Sequence, residues 1–168
     1  MKMANESKSV LYGADAPARR ATLGAGRKIL LVACTEEDAR SIRETLLRIK
    51  VQNPIEILPH TSDLLPYLKR EGNSLGEATS PALILLDLSN REESGFGLLR
   101  RLHNRVGDLK IPIAVLAGKE GLDQIRRAYQ LGVRTFLRKP LSPTEFKAMI
   151  ETLQVPIVYA LKTEPALV

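Results

Sequence analysis

From Lys28 onward the chain alternates between short apolar runs and longer stretches whose apolar residues recur at helical spacing. KILLVA (28–33) reads as a buried strand. Between Thr35 and Lys50, Ala39, Ile42, Leu46 and Ile49 fall on one helical face, with Thr35 and Asp38 in capping-box-like positions. Asn53-Pro54 stops that helix, and IEIL (55–58) is a second strand. SDLLPYLKR (62–70) predicts a short helix, followed by the Gly/Ser/Thr-rich loop EGNSLGEATS. ALILLDL (82–88) is the most apolar strand of the chain.

GFGLLRRLHNRV (95–106) places Phe96, Leu99, Leu102 and Val106 on one face and stops at Gly107. IPIAVLAG (111–118) is a fourth strand, GLDQIRRAYQLG (121–132) a fourth helix ending in Gly132, and VRTFLRKP (133–140) a fifth strand closed by Pro140. The last helix, SPTEFKAMIETL (142–153), opens on Ser142 as N-cap, Pro143 at the first helical position and Glu145 three residues on. Five strands alternating with five amphipathic helices predict a parallel sheet covered on both faces. Residues 1–26, with scattered glycines and little periodicity, read as a flexible arm, and 27–154 as the folded domain. The tail 155–168 carries enough apolar residues to pack, at a place the pattern does not specify.

Composition narrows the class. A chain of 168 residues with 44% hydrophobic and 26% charged residues suits one globular domain. The N-terminal stretch lacks the apolar core of a signal peptide, and no apolar run is long enough to cross a membrane. A single cysteine fits a reducing, cytoplasmic setting. His60, His103 and that cysteine show no metal-site spacing. The net charge of +6 raises the question of nucleic acid, but the basic residues are dispersed among acidic ones without aromatic interleaving.

In a parallel sheet of this kind, ligand chemistry gathers just beyond the carboxyl ends of the strands. Those positions are Ala33 and Cys34, Asp87, Ala117 with Gly118, and Lys139. A carboxylate ending an apolar strand needs a partner or solvent, and Lys139 is the expected partner for Asp87. Read more plainly, Asp87 caps its loop and Lys139 is a surface lysine before a proline.

These residues resemble the receiver domains of two-component response regulators over about residues 27–154. The resemblance rests on the (βα)5 order, LLDLSNREESGFGLL around Asp87, IPIAVLAG, and AYQLGVRTFLRKPLSPTEF with its Lys139-Pro140. It implies a flavodoxin-like α/β three-layer sandwich with a five-stranded parallel sheet in the order 2-1-3-4-5. It also implies a signalling module rather than an enzyme, served by a histidine kinase or another signalling protein. By that resemblance Asp87 is the nominal phosphoacceptor and Lys139 the lysine that pairs with the phosphoryl group. Ala33 and Cys34 stand where an acidic pair would hold Mg²⁺, Ala117 where a switch hydroxyl would sit, and Phe136 at the switch aromatic. The family's docking face implies Arg126, Tyr129 and Gln130 as partner contacts, with core packing the plainer role for Tyr129 and Phe136. Homodimerisation through the same face is a further expectation.

The substitutions change the chemistry. Mg²⁺ wants hard oxygen ligands in near-octahedral array; Ala33 offers none and Cys34 offers sulfur. No cofactor is therefore expected unless Glu36 or Glu37, or Glu92 or Glu93 after Asp87, reaches inward. Glu36, Glu37 and Asp38 otherwise favour the positive helix N-terminus and face water. No basic neighbour marks Cys34 as a nucleophile. The expectation is an atypical pseudo-receiver without a separate output domain, in which Asp87 and Lys139 form a standing ion pair. Two alternatives stand beside it: a phosphorylatable receiver rescued by those glutamates, and a nucleic-acid binder using Arg19, Arg20, Arg27 and Lys28. A nucleotide- or flavin-binding enzyme would need a glycine-rich loop after the first strand, and CTEEDA supplies none.

Overall fold

The computed structural model describes residues 26–72, 80–88, 96–102, 111–118, 122–131, 133 and 135–160. Five parallel strands form one sheet in the order β2-β1-β3-β4-β5, the order the resemblance implied. They are β1 (Ile29–Val32), β2 (Ile55–Leu58), β3 (Leu83–Asp87), β4 (Ile113–Ala117) and β5 (Thr135–Arg138). The helices are α1 (Glu36–Arg48), α2 (Leu64–Gly72), α3 (96–102), α4 (Leu122–Gln130) and α5 (Pro143–Leu153). A single 3-10 turn, Thr61–Asp63, leads into α2. The predicted continuation of α3 to Val106 and Gly107, and the stop at Gly132, lie outside the described residues, as does the arm 1–25.

Alternation along the strands divides the core into two layers. Ile29, Leu31, Leu83, Leu85, Ala114, Leu116 and Leu137 face α1 and α5, where they meet Ile42, Leu46 and Phe146. Leu30, Val32, Ile84, Leu86 and Val115 face α2, α3 and α4, where they meet Leu68, Leu99 and Ala128. Strands β1 and β3 are buried at every position, as expected of central strands covered on both sides.

The helix starts follow the sequence signals. The Thr35 side chain accepts from the Asp38 backbone N–H, and the Ser142 hydroxyl accepts from that of Glu145, with Pro143 in the first turn of α5. Helix α1 stops at Arg48, and Lys50 turns the chain at φ 67°.

Residues 155–160 have a defined place. Val155 and Val158 are buried, and Tyr159 forms an antiparallel bridge with Val51. Asn53, which the sequence marks only as a helix breaker, is the buried clamp for this segment. Its amide donates to the carbonyls of Arg27 and Pro156, and its side-chain oxygen accepts from the Val158 N–H at 2.7 Å. A buried amide with partners on two distant chain segments satisfies itself while tying both to its own.

Candidate functional site

The parallel register brings the ends of β1, β3, β4 and β5 to one edge of the sheet. Asp87 is the last residue of β3 and lies only 2% exposed. Lys139 follows β5, and its backbone N–H donates to the Ala117 carbonyl at the end of β4, which anchors it at this edge. From there its ammonium donates to Asp87 Oδ2 at 2.8 Å. The pairing expected from sequence is thus formed.

A second carboxylate joins it. The same ammonium donates to Asp38 Oδ2 at 3.0 Å. This corrects the expectation that Asp38 faces water and that Asp87 and Lys139 stand as an isolated pair. Asp38 precedes Ile42 by one helical turn, so it lies at the end of the apolar stripe that α1 buries. That spacing is the signal that could have found it. Glu36 and Glu37, the replacement ligands of the rescue alternative, are exposed in the first turn, and Glu92 and Glu93 lie outside the described residues.

Burial pulls the Lys139 ammonium downward, but hydrogen bonds to Asp87 and Asp38 outweigh it and hold the group above the ordinary lysine range. Lys139 therefore remains a cation set between two carboxylates, with its side chain 16% exposed.

The β1 tip is different in kind. Ala33 is buried and turns the chain at φ 60°. Cys34 is buried too, and its thiol donates to the Val32 carbonyl across 3.9 Å. Burial, reinforced by the charges of Asp87 and Asp38, pushes the thiol up to about 12, with Lys139 opposing. It is a neutral S–H at physiological pH rather than a thiolate. Ala117 is buried and contributes a backbone carbonyl but no hydroxyl.

This donor set does not fit Mg²⁺. Two carboxylates share an ammonium that already occupies the space between them, and at the described β1 tip Ala33 and Cys34 offer only a methyl and a protonated thiol. Among the described residues no three acidic, histidine or cysteine side chains converge on a point that could hold a metal ion.

At the far edge of the sheet, Phe136 on β5 is half-buried, and the Tyr129 ring meets it edge-on at 4.9 Å. Tyr129 is 53% exposed, so it is a surface ring leaning on Phe136 rather than a core residue. Arg126 and Gln130 lie exposed on the same side of α4, one turn apart. The structure places the partner-face candidates Arg126, Tyr129 and Gln130 on α4 and brings Tyr129 against the switch-position Phe136.

The fold and this strand-edge arrangement define a class: the chain belongs to the response regulator receiver domain family, whose model matches residues 30–151. The probable methanogenesis regulatory protein FilR2 of Methanothrix harundinacea is 32% identical over 127 residues, covering 75% of this chain and 80% of that protein. The bacteriophytochrome response regulator AtBRR superposes with a TM-score of 0.66 at 27% identity, over 83% of this chain and 99% of that one. The Mn²⁺-bound form of response regulator Rcp1 superposes with a TM-score of 0.57 at 25% identity, over 83% and 97% of the two chains. No helix among the described residues is long and apolar enough to cross a membrane.

Proposed function

We propose that this receiver domain is a pseudo-receiver that works by docking to a protein partner, without metal-dependent phosphoryl transfer at Asp87. The observation that carries this reading is the Lys139 ammonium, held by both Asp38 and Asp87. Phosphoryl transfer depends on positioning and on neutralising charge around the transferring group. Here the Lys139 ammonium is already committed to the protein's own carboxylates. Losing one charge-stabilising group of this kind typically costs ~3 kcal/mol of transition-state energy, and the β1 tip supplies neither ligand of the usual pair.

The docking surface is the face formed by α4, β5 and α5, with Arg126, Tyr129, Gln130 and Phe136 as its contacts. Aromatic and arginine side chains are the residue types that most often anchor protein interfaces. The partner is a histidine kinase or another signalling protein, or a second copy of this chain.

The test is intact-mass spectrometry after incubation with acetyl phosphate and Mg²⁺. The unmodified mass is expected throughout. A stable adduct of one phosphoryl group mapping to Asp87 sinks the pseudo-receiver reading and establishes relay chemistry in its place.

A further inference from the structure

The helices on the two sides of the sheet differ in charge. Helices α1 and α5 set Glu36, Glu37, Asp38, Glu44, Glu145 and Glu151 against Arg40, Arg43, Arg48 and Lys147. Helices α2, α3 and α4 set Lys69, Arg70, Arg100, Arg101, Arg126 and Arg127 against only Glu71 and Asp123. Among the described helices the excess positive charge thus falls on one layer.

That layer also contains a cleft. The 3-10 turn, α2 and α3 enclose about 420 Å³, within the range of ligand-binding clefts. Leu65 and Leu98 line it with apolar surface, Thr61 and Ser62 add hydroxyls at one end, and Lys69 and Arg101 reach it from α2 and α3. No carboxylate is among the described residues that line it. Gly97 forms part of the α3 wall, and a Cβ there would meet nothing within 4 Å.

We propose that this cleft binds an acidic peptide segment of a partner protein, with an apolar side chain on Leu65 and Leu98 and carboxylates on Lys69 and Arg101. The combination selects among anions. A nucleic-acid backbone has charge but no aliphatic group for the leucines, and no aromatic ring on which a base could stack is among the described lining residues. A lipid surface would meet the exposed cations without entering between the helices. A peptide carrying Glu or Asp beside Leu satisfies both the charge and the apolar surface. The cleft shares no residue with the strand-edge site or with the Tyr129–Phe136 face, so the proposal stands apart from the pseudo-receiver reading.

The experiment uses the full chain and a fluorescein-labelled synthetic peptide of Glu and Leu, with leucines one helical turn apart, followed by fluorescence anisotropy. Saturable binding is expected, weakened by added salt and at least about tenfold weaker with Lys69→Glu/Arg101→Glu. Gly97→Leu should fill the cleft without steric conflict and abolish binding while leaving the thermal melt of the domain intact. If Gly97→Leu does not fold, the exposed charge reversals carry the test alone. The proposal is overturned if the peptide does not bind the wild-type chain, or binds both variants as well as wild type. It is equally overturned if random duplex DNA or phosphatidylserine vesicles bind as tightly as the peptide.

Discussion

At the β1 tip the chain turns through Ala33 and Cys34, a buried methyl and a buried neutral thiol; across the same edge, Asp87 and Lys139 meet at 2.8 Å. One region is apolar and the other ionic, although a common sheet register positions both. The link between them is Asp38 on α1, which starts beyond Cys34 and returns a carboxylate to the lysine. The comparison teaches that the site's charges are satisfied from within the protein. The ammonium of Lys139 serves as the counter-ion of Asp38 and Asp87. Ala33 holds φ 60°, a region that Asp and Asn occupy more readily than alanine.

Removing the ionic half should have the largest effect. Lys139→Met takes the ammonium away from the buried Asp87 carboxylate, a change that costs about 3 kcal/mol when a buried pair loses one partner. Urea unfolding should show a midpoint shift of that size with an unchanged slope. A shift near zero would mean that the ammonium contributes nothing to the fold.

The apolar half can be read through its thiol. Folding raises Cys34 from 9.0 to about 12, so the folded state keeps a proton that the unfolded state loses first. That stability is fully present below pH 9 and is lost as pH rises toward 12, at about 1 kcal/mol for the first pH unit. Lys139, also raised by folding, adds a loss that begins only above the ordinary lysine value of 10.5. Urea midpoints measured from pH 8 to 10 should therefore fall in wild type and stay flatter in Cys34→Val. Equal slopes would show that the thiol is not held protonated by its surroundings.

The smallest effect belongs to the link. Asp38 is about one third exposed, and Asp38→Asn keeps a hydrogen-bond acceptor for Lys139, so a loss below about 1 kcal/mol is expected. Thermal denaturation in a double-mutant cycle with Lys139→Met isolates the coupling. A coupling as large as the loss in Lys139→Met would make Asp38, rather than Asp87, the principal partner.

The strands and helices were legible because each carries a clean period and its own stop signals: IEIL after Asn53-Pro54, Ser142-Pro143 before α5. The Asp87–Lys139 contact was legible because a carboxylate at the end of a buried strand must find a cation. Asp38 was not, because its position in the first turn of α1 also suits a residue that faces water and favours the helix N-terminus. The cue that separates those roles is the one-turn spacing from Asp38 to Ile42, which sets it at the end of the buried stripe. The seat of residues 155–160 was hidden for another reason. The Val51–Tyr159 bridge and the Asn53 bonds join segments far apart in the chain, and local periodicity carries no trace of such contacts.

The central claim, that Lys139 is the cation of this site and Mg²⁺ is not, is tested most directly by calorimetric titration with MgCl₂. Wild type and Ala33→Asp/Cys34→Asp should be titrated side by side, each also melted with and without the ion. Heat at the dilution baseline and an unmoved melting temperature are predicted for wild type, and saturable heat with a raised melting temperature for the double variant, whose new carboxylates supply hard ligands. Saturable magnesium binding to the wild-type chain, lost in Asp87→Asn, would contradict the account.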